Sequence, residues 1–86
     1  MNQFLLYNHN IHSNLIGIKL TDFYSLYVTN FVKIINESCT IFIIGDHIGD
    51  PNTINFDCDQ TIKSLKGNFY LILVHNKQIK IIGTVG

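Results

Sequence analysis

The side chains able to do chemistry are few and scattered along this chain. His9 and His12 stand three apart in the polar run Asn8-His9-Asn10-Ile11-His12-Ser13-Asn14, and His47 and His75 lie far from them. A structural zinc site needs four convergent ligands. Neither Cys39 nor Cys58 has a second thiol at ligand spacing, so four unrelated histidines are the expectation. Gly45-Asp46-His47-Ile48-Gly49-Asp50 follows an apolar run, a place where loops often carry function. Asp46, His47 and Asp50 could bind a cation or trade a proton there. The plainer alternative, a glycine-punctuated turn with exposed acids, is the one expected, and the spacing does not match a calcium loop. Cys58 lies between Asp57 and Asp59, whose charges raise a thiol pKa and make it a poor nucleophile. Cys39 precedes an apolar strand and reads as a small core residue. Whether the two cysteines pair is open. Nothing resembles a serine–histidine–acid triad or a phosphate loop, and no catalytic residue, metal ligand or cofactor is assigned.

Composition narrows the function classes further. The 86 residues allow one domain and one core, with little stability to spare. The apolar fraction is 47% and the charged fraction 14%, low for a solitary soluble domain, and fifteen residues are isoleucine. Some of that surface is expected to meet a partner or further chain. Net charge is zero, and all six basic residues are lysine. Without arginine there is no bidentate fork for phosphates or guanine edges, which argues against nucleic acid. Four of six acids (Asp46, Asp50, Asp57, Asp59) fall in one stretch that reads as a solvated loop. No apolar run approaches a membrane span, and the N-terminus does not read as a signal peptide. Free thiols in a reducing cytoplasm are the expectation.

The elements that must position these residues are mostly strands. Residues 3–7 and 15–20 read as strands forming a first hairpin, with Gly17 at a close backbone approach. Residues 21–36 fit either a helical stripe or two short strands bent around Thr29-Asn30; the aromatic and β-branched composition favours the strands. Residues 40–44 form a strand ending at Gly45-Asp46, and Gly49-Asp50-Pro51-Asn52 is a turn. Residues 59–66 are expected to be one short helix, capped by Asp59, facing Ile62 and Leu65 inward and stopped by Gly67. Residues 69–74 are apolar at every position, so that strand should be covered on both faces. It turns through His75-Asn76-Lys77-Gln78 into a partner strand where Ile79 and Ile81 alternate with Lys80. The fold class expected is α+β: a mostly antiparallel sheet with one short helix, one face covered and the other awaiting a layer. A chain ending just past this hairpin is expected to be either a compact small domain or the first piece of something longer.

Three of these stretches, in order, resemble one family. Ile41-Phe42-Ile43-Ile44-Gly45-Asp46-His47-Ile48-Gly49 is similar to the strand and turn of class II glutamine amidotransferase domains, where an apolar strand leads into Asn-Gly-Glu. Asp57-Cys58-Asp59 resembles that family's short acidic segment. Residues 65–74 with 79–86 resemble its Leu-x-Gly-x-Phe-Ala hairpin, as found in asparagine synthetases. The resemblance covers residues 40–86 and implies a truncated Ntn-hydrolase (αββα) glutaminase fold. It also implies loss of the activity. The family's nucleophile is an N-terminal cysteine, whereas Asn2 follows Met1 here; its oxyanion hole uses Asn-Gly, whereas Ile44 precedes Gly45. Losing one oxyanion donor typically costs ~10²–10³ in rate, and losing the nucleophile removes the route. The resemblance therefore implies a degenerate domain of the asparagine synthetase-like kind, as in β-lactam synthetases and lasso-peptide cyclases.

The partner so implied is an ATP-using synthetase domain, downstream chain or a second copy. The residues expected at an interaction surface are Gly45, Asp46, His47, Phe69, Tyr70, Ile79 and Ile81. A competing expectation is a free-standing β-rich accessory module using the 46–59 loop or the 9–13 turn; it predicts that residues 83–86 are paired and covered within one chain. A small enzyme using His47 with Asp46 or Asp50 ranks last, because a core this small leaves little room for a deep pocket.

Overall fold

The structure, a computed structural model, describes residues 3–12 and 14–84. Among the described residues seven strands form two antiparallel sheets. The first has the order β1-β3-β2, from β1 (Phe4–Asn8), β2 (Ile18–Lys19) and β3 (Tyr24–Val28). The second is a meander of β4 (Val32–Ile35), β5 (Thr40–Ile48), β6 (Lys66–His75) and β7 (Gln78–Thr84). The chain crosses between the sheets at residues 29–31, where the sequence places a bend between two short strands. No first hairpin exists: β1 and β2 both pair with β3, Leu6 opposite Leu26 on one side and Ile18 opposite Leu26 on the other. Gly17 does sit at a close approach, since a Cβ there would meet both the Leu26 carbonyl and the Tyr7 hydroxyl.

Period-two alternation sorts β5 and β6 into two cores. Phe42, Ile44 and Ile72 face the first sheet and pack around Leu26, with Phe4, Val28, Val74 and Ile79 at the rim. Ile41, Ile43, Phe69, Leu71 and Leu73 face the other way, under Ile54, Phe56, Ile62 and Leu65 from the 49–65 connection. The central strands are thus buried on both faces, as continuous apolar runs require. The second sheet does not await a layer. Exposed apolar surface lies elsewhere, on Leu5 and Tyr27 outside the first sheet and on Ile11, Ile16, Ile35, Ile48 and Ile81.

No α-helix occurs among the described residues. Asp59–Ser64 is a 3-10 turn, and a shorter one spans Pro51–Thr53 under an Asp50 cap. The longer turn is closed by i-to-i+3 bonds, from Thr61 N–H to Cys58 O and from Leu65 N–H to Ile62 O. Cys58 O accepts from both the N–H and the hydroxyl of Thr61, at 3.2 and 2.7 Å, a local bond that competes with helix. Cys58 occupies the cap position without a side-chain bond, Asp59 lies in the first turn, and Leu65 ends the turn. Gly67 is a strand residue opposite His47. β5 likewise runs past Gly45-Asp46 to Ile48.

Candidate functional site

Gly45 and Asp46 line a cleft of about 430 Å³ with Gln3, residues 29–32, Ile43 and Ile44. It opens beside the crossover between the sheets. Gly45 takes φ 117°, a conformation that glycine supplies at little steric cost. Ile44 is 1% exposed in the core between the sheets, so the residue before Gly45 is a packed hydrocarbon. The polar groups on the cleft are the Asp46 carboxylate, the Thr29 hydroxyl and the amides of Gln3 and Asn30. No thiol or imidazole is among the described lining residues. Met1 and Asn2 lie outside the described residues, as do Ser13, Val85 and Gly86.

Asp46 and His47 are consecutive strand residues and project from opposite faces. The His47 ring stands edge-on to Phe69 at 6.4 Å, on the side away from the first sheet. Asp50 instead accepts from the backbone and side-chain N–H groups of Asn52, at 2.9 and 3.0 Å. The carboxylate–imidazole set is therefore divided into separate structural roles. His9 is also a tie: Nε2 lies 2.8 Å from the Asp22 carbonyl and Nδ1 2.9 Å from Ser25 Oγ. Beside a carbonyl, Nε2 must carry the proton. Among the described residues no group of three or more His, Cys, Asp or Glu side chains could hold a metal. Cys39 is buried and Cys58 exposed, both as free thiols.

The other expected contact residues fall in three places. Phe69 is 2% exposed and serves the core, paired with Gly45. Tyr70 is half-exposed and meets Phe4 edge-on at 5.2 Å, on the wall of a second cleft with Leu5, Tyr27 and Thr29. Ile79 and Ile81 lie on β7, at the sheet edge, facing a groove shared with Leu6 and Tyr24. Sequence reasoning missed Gln3, Thr29 and Asn30, which only the stacking of the two sheets brings to Gly45.

Lys80 was read only as the polar position of an alternating strand. Its ammonium donates to the Phe56 carbonyl, lies 4.6 Å from the Phe56 ring centroid and 3.6 Å from Asp59. It pins the 49–65 connection onto β7. Asp50, Asp57 and Asp59 of that connection are exposed, as a solvated loop requires, whereas Asp46 is exposed on strand β5.

Comparison of the chain with protein-family models, with curated proteins and with solved structures finds no match. No helix among the described residues is long and apolar enough to cross a membrane.

Proposed function

We propose that this chain is a non-catalytic, glutamine amidotransferase-like interaction domain that packs against an ATP-using, asparagine synthetase-like amide-forming domain. The observation that carries this reading is the cleft that brings Gln3, near the start of the chain, together with Gly45 and Asp46. A nucleophile at a chain start must share a space with its oxyanion donors, and this is the arrangement the family resemblance implies. Two stacked antiparallel sheets, with β5 hydrogen-bonded beside the β6–β7 hairpin, also support it. Against catalysis stands Ile44, which fills the core where a donor amide would be required. Exposed Leu5, Tyr27, Phe23 and Ile48 supply apolar area for a partner.

The test has two arms. Incubated with glutamine, the chain releases no ammonia above buffer; release would overturn the non-catalytic half. Mixed with the asparagine synthetase-like ATP-using domains of its source genome, it forms a 1:1 complex with one of them. Amide shifts of Gln3, Asn30, Gly45 and Asp46 then move on binding. If the chain elutes alone from every such mixture, the synthetase association is wrong.

One observation favours the second reading, a free-standing β-rich binding module. Gly83 is paired with Tyr70 and Thr84 with Phe69, so the last described residues are paired within this chain's own sheet, although Gly83 stays exposed. That module would bind through the 46–59 connection or the 9–12 turn.

A further inference from the structure

Among the described residues the outer edge of β7 has no partner strand, and it lacks the devices that usually guard such an edge. The second sheet has two edges. β4 is four residues long, carries Lys33, and its end is tied through Asn36 to the carbonyls of Asn52 and Ile54. β7 is seven residues long, keeps an unbroken register from His75↔Gln78 to Phe69↔Thr84, and contains neither proline nor bulge. Edges are ordinarily protected by an outward lysine, a bulge or a short strand. The one charge on β7 is Lys80, and it is folded onto Phe56 and Asp59 of its own chain. It therefore does not stand guard.

The parity of the free edge follows from the turn. A two-residue loop, Asn76-Lys77, closes on the pair His75↔Gln78, which is a hydrogen-bonded pair in such hairpins. Bonding then alternates along the strand. Gln78, Lys80, Ile82 and Thr84 direct their backbone groups to β6, and Ile79, Ile81 and Gly83 direct theirs outward. On that same edge Ile81 is 48% exposed and Tyr70, whose ring lies over Gly83, is 41% exposed.

We infer that this edge pairs with the β7 edge of a second copy of the chain, antiparallel about a two-fold axis at Ile81. In that register Ile81 faces Ile81, Ile79 faces Gly83 and Lys80 faces Ile82 of the other copy. Outward backbone groups meet outward backbone groups, and like charges are kept apart. Shifting the axis to Lys80 would set two ammonium groups opposite one another, which is unfavourable. The Tyr70 ring covers Gly83, so Ile79 of the other copy packs against the exposed side of that ring. The contact is isologous, so it closes at a dimer with one continuous eight-stranded sheet. It leaves the Gln3–Gly45 cleft free, so this inference and the synthetase association stand or fall separately.

Sedimentation equilibrium of the unaltered chain should give twice its 9.8 kDa mass as concentration rises. A mass that stays single at about 1 mM, where even weak pairing populates a dimer, overturns the inference. Ile81→Lys and Ile81→Asp should each be monomeric alone and should form a mixed dimer when combined, because the two-fold sets position 81 against itself. A homodimer persisting in either variant, or no association in the mixture of folded variants, would also overturn it. Amide exchange in the unaltered chain supplies a readout independent of variant folding. Protection of the Ile79, Ile81 and Gly83 N–H groups should rise with concentration, while Lys80 and Ile82 are protected throughout. Free exchange of the first three at every concentration would sink the proposal.

Discussion

The two thiols differ in environment more than any other pair of like residues here. Cys58 is exposed between two carboxylates, and Cys39 lies in the core beneath Phe56 and the β5–β6 ladder. Desolvation raises the Cys39 thiol pKa, partly opposed by a hydrogen bond with Ser38 and the charge of Lys80. The unfolded chain thus loses this proton first as pH climbs past about 8.5. Above that point the unfolded state binds fewer protons than the native one, so stability falls with rising pH. The contribution is fully present below the unfolded thiol pKa and is lost as pH rises through the folded one. Urea midpoints between about pH 8 and pH 10 should decline more steeply for the natural chain than for Cys39→Ala; parallel declines would mean the thiol is not desolvated. Mass spectrometry after brief alkylation of the native chain should find one adduct, on Cys58. Equal modification of both cysteines would contradict the burial of Cys39.

Local chemistry made some elements legible and left others hidden. The β6–β7 hairpin could be read because two apolar runs flank a turn in which Asn76 tolerates φ 54°. The break between β3 and β4 could be read from β-branched and aromatic residues interrupted at Thr29-Asn30. The first sheet could not be read, because its order depends on β3 inserting between strands that are sequence neighbours. Such pairing is set by packing against Phe42, Ile44 and Ile72, which no local pattern reports. Residues 59–64 form a 3-10 turn in place of the expected helix, with the Thr61 hydroxyl bonded back to the Cys58 carbonyl. The same misreading hid the role of Gly67, whose φ is 130° and where a Cβ would run into the Asp46 carbonyl. Gly67 permits β5 and β6 to stay paired out to Ile48↔Lys66. Gly67→Ala should therefore destabilise by about 1–3 kcal/mol through backbone strain, with more from the clash. A urea midpoint unchanged by that substitution would show that the strand end relaxes freely.

At the scale of the whole molecule, the space between the sheets is packed with hydrocarbon. Leu26, Phe42, Ile44 and Ile72 fill it, each at most 1% exposed, and the polar remainder of the cleft is pushed to its mouth at Gln3, Thr29, Asn30 and Asp46. A domain of 86 residues has few fully buried side chains to spare. An amide side chain at position 44 would place an unpartnered polar group where branched hydrocarbon now packs. Ile44→Asn should cost about 3–5 kcal/mol, combining lost apolar burial with the desolvation of an amide that has no bonding partner. That is a large share of the typical 5–15 kcal/mol of a folded domain, about enough to unfold a marginal one. Chemical denaturation measures it directly. A cost below about 1 kcal/mol would mean position 44 is solvent-adjacent and that the cleft reaches deeper than the packing indicates. Ammonia release from glutamine should remain absent in the same variant, because on the proposed reading an amide at position 44 supplies no nucleophile. A gain of hydrolysis from this one change would place an unrecognised nucleophile at the cleft and overturn the reading of the domain as a scaffold.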